Sequence, residues 1–396
     1  MTSRSLVLPV IVIAQFFCTS LWFAGNAVMN NLVSDFGLEE GALGILTSAV
    51  QFGFITGTLL FAILTIADRF SPSKVFVACA VFGALFNLGT IYPENSFLSL
   101  VTFRFFTGFT LAGIYPVGMK IASDYYKEGL GKSLGFLVGA LVLGKGFPHL
   151  VKALTADLPW ESVILLTSSI AVIGGVLLYL TVPDGPYRKP ASRFNFTALF
   201  SVFKHPRFRQ AAFGYFGHMW ELYTFWAFVP VILISFQGIH PETSFNVPVL
   251  SFLIIGLGGL ACVLGGYISK DFGVKRTATT ALFLSFICCI TSPFVILSGS
   301  EIFLIAFLIF WGLVVIPDSP LFSTLVAQYA PEESRGTALT IVNCIGFAIT
   351  IISILLIEYL RFLIPVEWVF VFLAIGPGLG LINLIINPRS LSEIKS

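Results

Sequence analysis

The chain has 396 residues, of which 57% are hydrophobic and 11% charged, and its net charge is +2. A water-soluble domain carries about 25% charged residues, so an ordinary soluble fold is excluded. The small net charge leaves no field to attract nucleic acid. The solvent that accepts such a chain is a lipid bilayer.

Apolar runs of 18 or more residues recur, separated by short polar breaks. In chain order the predicted spans are 6–28, 41–66, 74–92, 96–119, 131–153, 161–182, 209–236, 247–269, 276–297, 301–326, 337–358 and 363–387. Each is long enough to cross a hydrocarbon core of about 30 Å. The first run follows a single charge, Arg4, as a signal peptide would. It continues to about Met29 and many similar runs follow, so it is read as an uncleaved first span. Cys18, Cys79, Cys262, Cys288, Cys289 and Cys344 all lie inside apolar runs without metal-ligand spacing, and are read as small buried hydrophobes.

Lysine and arginine set the topology. With the N-terminus in the cytoplasm, 18 of the 22 fall on the inner side, only Lys152 and Arg361 on the outer side, and Arg104 and Lys145 within spans. Twelve spans with both termini cytoplasmic satisfy this bias. The longest polar break, 184–208, is basic and proline-rich, and separates residues 1–183 from 209–396. Its part from Phe194 to Phe203 suits a short amphipathic helix on the inner surface.

The two halves repeat each other. Ala67-Asp68-Arg69-Phe70, after span 2, recurs as Ser269-Lys270-Asp271-Phe272 after span 8, an offset of about 202. The stretch from Pro116 to Tyr125, leaving span 4, recurs as Pro320 to Tyr329, leaving span 10, at an offset of 204. Two matches at nearly one offset indicate duplication. The expected fold is therefore all-α and transmembrane: twelve helices in two pseudo-symmetric six-helix bundles related by an axis along the membrane normal.

With these features the sequence resembles the major facilitator superfamily over essentially its whole length. The loop signature after span 2 is matched at Ala67, Asp68, Arg69 and Lys74, while Leu64 and Ser71 stand where the family has glycine. Arg104-Phe-Phe-Thr-Gly108 is similar to the family's stretch in span 4. The second half departs by placing Lys270 before Asp271, and the span-5 signature of antiporters is missing, since Ala140 follows Gly139. The resemblance implies a secondary transporter of a small solute, and makes Asp68, Arg69 and Lys74 a conformational latch; ordinary positive-inside anchoring is the plainer alternative.

Several residues inside spans invite a functional reading. A charge at the depth of Arg104 is costly unless paired or hydrated. Arg104 either holds an anionic solute, senses protonation of a neighbour, or pairs with backbone carbonyls. Lys145, between two glycines near the middle of span 5, is a candidate for solute binding or coupling, with His149 one turn on as either a second ligand or a core histidine. In span 7, Glu221 lies near the midplane with His218 three residues before it, so both can face one cavity. Leaving water disfavours the charged form of each, which suits a proton relay. An ion pair of Glu221 with Lys145 or Arg104 is the plainer alternative. Asp318, between Pro317 and Pro320, is a second proton site or part of a gate, because prolines free carbonyls that must be satisfied by protein or a cavity. Trp22, Asn26, Gln51, Tyr115, Trp220, Tyr223, Trp226 and Asn343 are uncharged candidates for pocket walls.

No phosphate-binding loop, nucleophile elbow or zinc spacing is present, so ATP-driven transport and enzyme chemistry are disfavoured and no cofactor or metal is expected. The expected function is secondary transport of an organic anion or zwitterion, coupled to protons, by a monomer in the cytoplasmic membrane. Export of amphipathic drugs or lipid flipping is the alternative, and a non-transporting receptor or intramembrane enzyme a remote one.

Overall fold

The computed structural model describes residues 4–39, 41–126, 130–188 and 201–386. Among the described residues there are helices and no strands. Eleven helices among the described residues are long and apolar enough to cross a membrane: α2 (Ala42–Ile63), α3 (Pro72–Gly89), α4 (Phe97–Tyr125), α5 (Ser133–Leu154), α6 (Glu161–Thr181), α7 (Pro206–Ile239), α8 (Val247–Phe272), α9 (Val274–Leu297), α10 (Glu301–Tyr329), α11 (Glu332–Leu360) and α12 (Val366–Ile385). A shorter apolar helix, α1 (Leu6–Trp22), precedes them. Side chains such as Leu180, Phe294 and Ile302 are exposed on these helices, which only a lipid solvent tolerates in such number. The amphipathic segment expected at 194–203 falls mostly outside the described residues, as do Lys127, Lys189, Arg193, Arg389 and Lys395.

Contacts divide the chain into two compact units. One comprises Met1–Arg193 with Ser244–Gly259, the other Phe194–Thr243 with Leu260–Ser396. In the first, α1 packs on α5 and α6, α2 on α4, and α3 on α4 and α6. In the second, α7 packs on α11 and α12, and α9 on α10 and α12. The pairings of α1 with α5 and α6, and of α3 with α4 and α6, recur as those of α7 with α11 and α12, and of α9 with α10 and α12, as a duplicated six-helix sequence requires. Close approach of α2 and α4 depends on glycine: a Cβ on Gly53 would collide with the Phe105 carbonyl, and one on Gly108 with that of Val50.

The repeat extends to an irregularity that the pattern of apolar runs does not show. α4 is interrupted at residues 112–114 and α10 at residues 315–317, again about 203 apart. In α4 the tighter turns Gly113 N–H to Thr110 O (2.9 Å) and Ile114 N–H to Leu111 O (3.0 Å) carry the chain to Pro116. In α10, Val315 N–H still reaches Trp311 O, and Ser319 N–H bonds Ile316 O at 3.0 Å. The Ile316 carbonyl, which Pro320 has no N–H to satisfy, is thus taken by Ser319 N–H, the kind of local pairing that irregular backbone at membrane depth needs.

Span 1 departs from the expected single run 6–28. Its helix tightens to a 3-10 turn at Ser20–Trp22, and short helices Ala24–Ala27 and Met29–Phe36 follow. In span 5, Pro148 sits inside a helix that runs on to Leu154.

Candidate functional site

In the first unit the break in α1 organises a buried polar cluster. Phe23 leaves helical geometry at φ −107° and ψ 14°, which frees the carbonyls before it. Arg104, on α4, takes them: Nη2 donates to Trp22 O at 2.5 Å and Nη1 to Leu21 O at 3.3 Å, while Asn87 Oδ1 lies 3.4 Å from Nη1. The guanidinium passes beside Gly25, where a Cβ would come within 3.2 Å of Nε. Its planar fork suits two adjacent carbonyls. Of the three roles open to Arg104, pairing with backbone is the one its geometry displays.

That anchoring fixes Trp22. Its indole packs on Phe54 of α2, with ring centroids 4.8 Å apart. Lys145 Nζ lies over the same indole, 3.9 Å from its centroid, a cation–π geometry. Lys145 is 0% exposed. It reaches this depth because Gly144 lets α5 lie against α1: a Cβ there would strike Thr19 Oγ1 and the Phe16 carbonyl. One turn beyond Trp22, Asn26 Nδ2 donates to Thr47 Oγ1 on α2 at 2.8 Å. Gln51 lies between Thr47 and Phe54 on the same face of α2. Gln51 is 0% exposed, yet neither its amide nitrogen nor its oxygen has a protein partner, and the same holds for Nε2 of buried His149, one turn from Lys145. Trp22, Asn26, Gln51 and Lys145 are therefore brought together, with His149 on the face of Lys145. Tyr115 is half-buried at the start of the second part of α4.

In the second unit the carboxylates of α7 and α10 occupy two adjoining settings. Glu221 is 0% exposed; Oε1 accepts from Trp311 Nε1 at 2.6 Å and Oε2 from Ser285 Oγ at 2.9 Å. Trp311 is itself stacked on Phe225, centroids 4.5 Å apart. His218 does not share these partners: its Nδ1 lies 2.8 Å from Asp318 Oδ1, with both side chains 1% exposed. Asp318 opens the second part of α10, directly after the break. The expected relay pair of His218 with Glu221 is thus rearranged, with histidine on Asp318 and glutamate on an indole and a hydroxyl.

The remaining wall candidates separate. Tyr223 packs on Phe347 and on Trp226, at 5.0 and 5.4 Å between centroids. Trp220 turns to α12, donating from Nε1 to Phe372 O at 3.1 Å. Asn343 is half-buried on α11.

At the latch, Asp68 pairs with Lys120 of α4 at 2.8 Å, and Lys120 also lies 3.6 Å from Asp124. Arg69 bonds Thr65 Oγ1 at 3.1 Å, and Lys74 is exposed. Arg188 ties the segment after α6 to this loop, donating from Nη2 to the carbonyls of Asp68 (2.8 Å) and Phe70 (2.7 Å), and pairing with Asp184. The sequence signals Asp68 but not its partners. Lys120 lies within the repeated stretch from Pro116 to Tyr125 and could have been found there. The roles of Arg188 at the loop, and of Ser285 and Trp311 on Glu221, carry no local signal, because those partners lie more than sixty residues away.

Comparison with known proteins bears on this arrangement. The sequence profile of the Major Facilitator Superfamily matches residues 11–354, with a second match at 212–393. The chain is 29% identical over 163 residues to the 4-hydroxybenzoate transporter PcaK of Pseudomonas aeruginosa, covering 39% of this chain and 34% of that protein. It is 30% identical over 164 residues to PcaK of Acinetobacter baylyi (39% and 33%), and 26% identical over 220 residues to the nitrate/nitrite transporter NrtP of a Picosynechococcus species (45% and 39%). The chain thus spans only about a third to two fifths of the length of these relatives. A bacterial homologue of the human lysosomal transporter Spinster, solved inward-facing and unoccupied, has the same fold, with a TM-score of 0.67, 16% identity, and coverage of 97% of this chain and 95% of that one. The profile match covers most of the sequence, and the chain belongs to the Major Facilitator Superfamily, a family of membrane transporters rather than enzymes.

Proposed function

We propose that the protein is a proton-coupled secondary transporter of a small organic anion or zwitterion, working as a monomer in the cytoplasmic membrane with both termini inside. The observation that carries the anionic class is the cluster around Lys145. A fully buried cation lies over Trp22, which packs on Phe54; one turn from Phe54 the amide of Gln51, and one turn from Lys145 the Nε2 of His149, make no hydrogen bond within the protein. Buried polar groups are normally satisfied, so unsatisfied donors around a cation suit a solute carrying a carboxylate or similar oxyanion. The solutes named for the relatives, hydroxybenzoate and nitrate, are anions, which agrees with this class. Glu221 and the His218–Asp318 pair are the proton carriers in this reading, since both are buried carboxyls with uncharged or titratable partners. Residues 1–183 and 209–396 act as the two moving bundles of an alternating-access cycle, with Asp68, Arg69 and Lys74 in the latch.

The test is ligand-induced stabilisation of the purified protein by small carboxylates, nitrate, sugars and amphipathic amines. A ligand that binds only the folded state raises its melting temperature by mass action. Stabilisation by anions that disappears in Lys145→Met supports the reading. Stabilisation by lipophilic amines alone would replace it with drug export.

A further inference from the structure

The hydrogen bonds of Glu221 differ in kind: the Trp311 indole and the Ser285 hydroxyl hold its two oxygens, and the Cys289 thiol, a weak donor, also reaches it. An indole nitrogen only donates, so Oε1, 2.6 Å from Trp311 Nε1, is an acceptor in every protonation state. A proton arriving at this carboxyl therefore resides on Oε2. The partner of Oε2 is a hydroxyl, which can rotate its hydrogen and can also accept. Ser285 Oγ lies 2.9 Å from Glu221 Oε2 and 3.1 Å from the Leu282 carbonyl oxygen. With Glu221 ionised, the serine hydroxyl donates to Oε2. With Glu221 protonated, Oε2–H donates to Oγ, and the serine hydroxyl turns to Leu282 O. One proton is gained at Oε2, one O–H bond of serine reorients, and no heavy atom moves.

We propose that Ser285 is a positioning residue for the coupling carboxyl, a rotor that keeps Glu221 hydrogen-bonded as both carboxylate and acid and assigns its proton to Oε2. The proposal rests on the reading of Glu221 as a proton carrier. Other groups facing Glu221 are the thiols of Cys288 and Cys289 on α9, and Asp318 on α10; His218, on α7 itself, is engaged with Asp318. Of these, Cys289 also hydrogen-bonds Glu221, but through a thiol, a weaker donor and acceptor than the Ser285 hydroxyl. The arrangement matters because a buried acid that is satisfied in only one state is held there, whereas a coupling site must pass between both.

A hydrogen bond to a charged acceptor is about twice as strong as a neutral one. Removing the hydroxyl therefore weakens the carboxylate more than the acid. Infrared difference spectra of the detergent-purified full chain, titrated from about pH 4 to about pH 10, follow the C=O band of the protonated carboxyl, and Glu221→Gln identifies which band is its own. Ser285→Ala is expected to move the midpoint to higher pH by about 0.5–1 unit and to shift the C=O frequency, because the acid loses its acceptor. Ser285→Thr, which keeps the hydroxyl, restores both. Should the alanine variant not fold, Ser285→Cys, a weaker donor, is expected to move the midpoint in the same direction. An unchanged midpoint and frequency in Ser285→Ala or Ser285→Cys would overturn the role of Ser285 and leave Glu221 as a carrier. A spectrum with no titrating band that Glu221→Gln removes would instead overturn the proton reading itself.

Discussion

Replacing Arg104 by methionine tests whether the arginine binds solute or holds the backbone of α1. Methionine keeps much of the length and apolar stem but has no donor. The carbonyls of Leu21 and Trp22 would lose a charged donor at 3.3 and 2.5 Å, inside a site where Arg104 is only 2% exposed. A buried carbonyl left without a partner costs about 1–3 kcal/mol, so two cost roughly 2–6 kcal/mol. Relief from burying the guanidinium offsets part of this, leaving a net loss of about 3 kcal/mol. At about 2 °C per kcal/mol this lowers the melting temperature of the detergent-purified protein by about 6 °C. Arg104→Lys, which keeps the charge but cannot bridge both carbonyls, should recover less than half of the loss. A methionine variant that melts within about 1 °C of the wild type, while losing stabilisation by anions, would refute the backbone role and return Arg104 to the solute site.

Glu221→Gln should fold, because glutamine can still accept from Trp311 Nε1, yet should lose solute accumulation driven by a pH gradient; intact accumulation would remove Glu221 from the coupling path. Lys145→Met should abolish anion-dependent stabilisation while leaving the unliganded melting temperature equal or higher, since a buried ammonium is itself costly; a thermal-shift titration with and without anion reads both. Gly144→Leu should disrupt folding or activity severely, because its side chain would enter the Phe16 carbonyl, and a variant with wild-type yield and elution profile would show that α5 can move away from α1. Asp68→Asn removes a partly exposed pair with Lys120, so stability should fall by less than about 1 kcal/mol, while transport rate changes through the latch; a larger stability loss would make the pair structural.

The helices and their duplication were legible because lipid imposes long apolar runs and because Asp68, Asp271, Pro116 and Pro320 mark equivalent loops. Arg104, Lys145, Glu221 and Asp318 also stood out, since ionisable groups are rare inside spans. Their partners did not. A span-crossing sequence says that a charge is buried, but not which helix faces it. Hence His218 was placed with Glu221 by helical spacing, whereas tertiary packing gives it to Asp318. The break after Trp22 was hidden too: Ser20 to Val28 continues an apolar run, and what stabilises the break, Arg104, comes from another helix 82 residues away.

The most direct test of the transport mechanism is solute-induced proton movement in proteoliposomes containing a pH-sensitive dye, with small carboxylates and nitrate supplied outside. The mechanism predicts that at least one of these anions brings protons across with it, that a protonophore collapses its accumulation, and that Glu221→Gln abolishes the proton signal. Anion entry that proceeds to equilibrium without any proton signal, or proton movement evoked only by lipophilic amines, would contradict it.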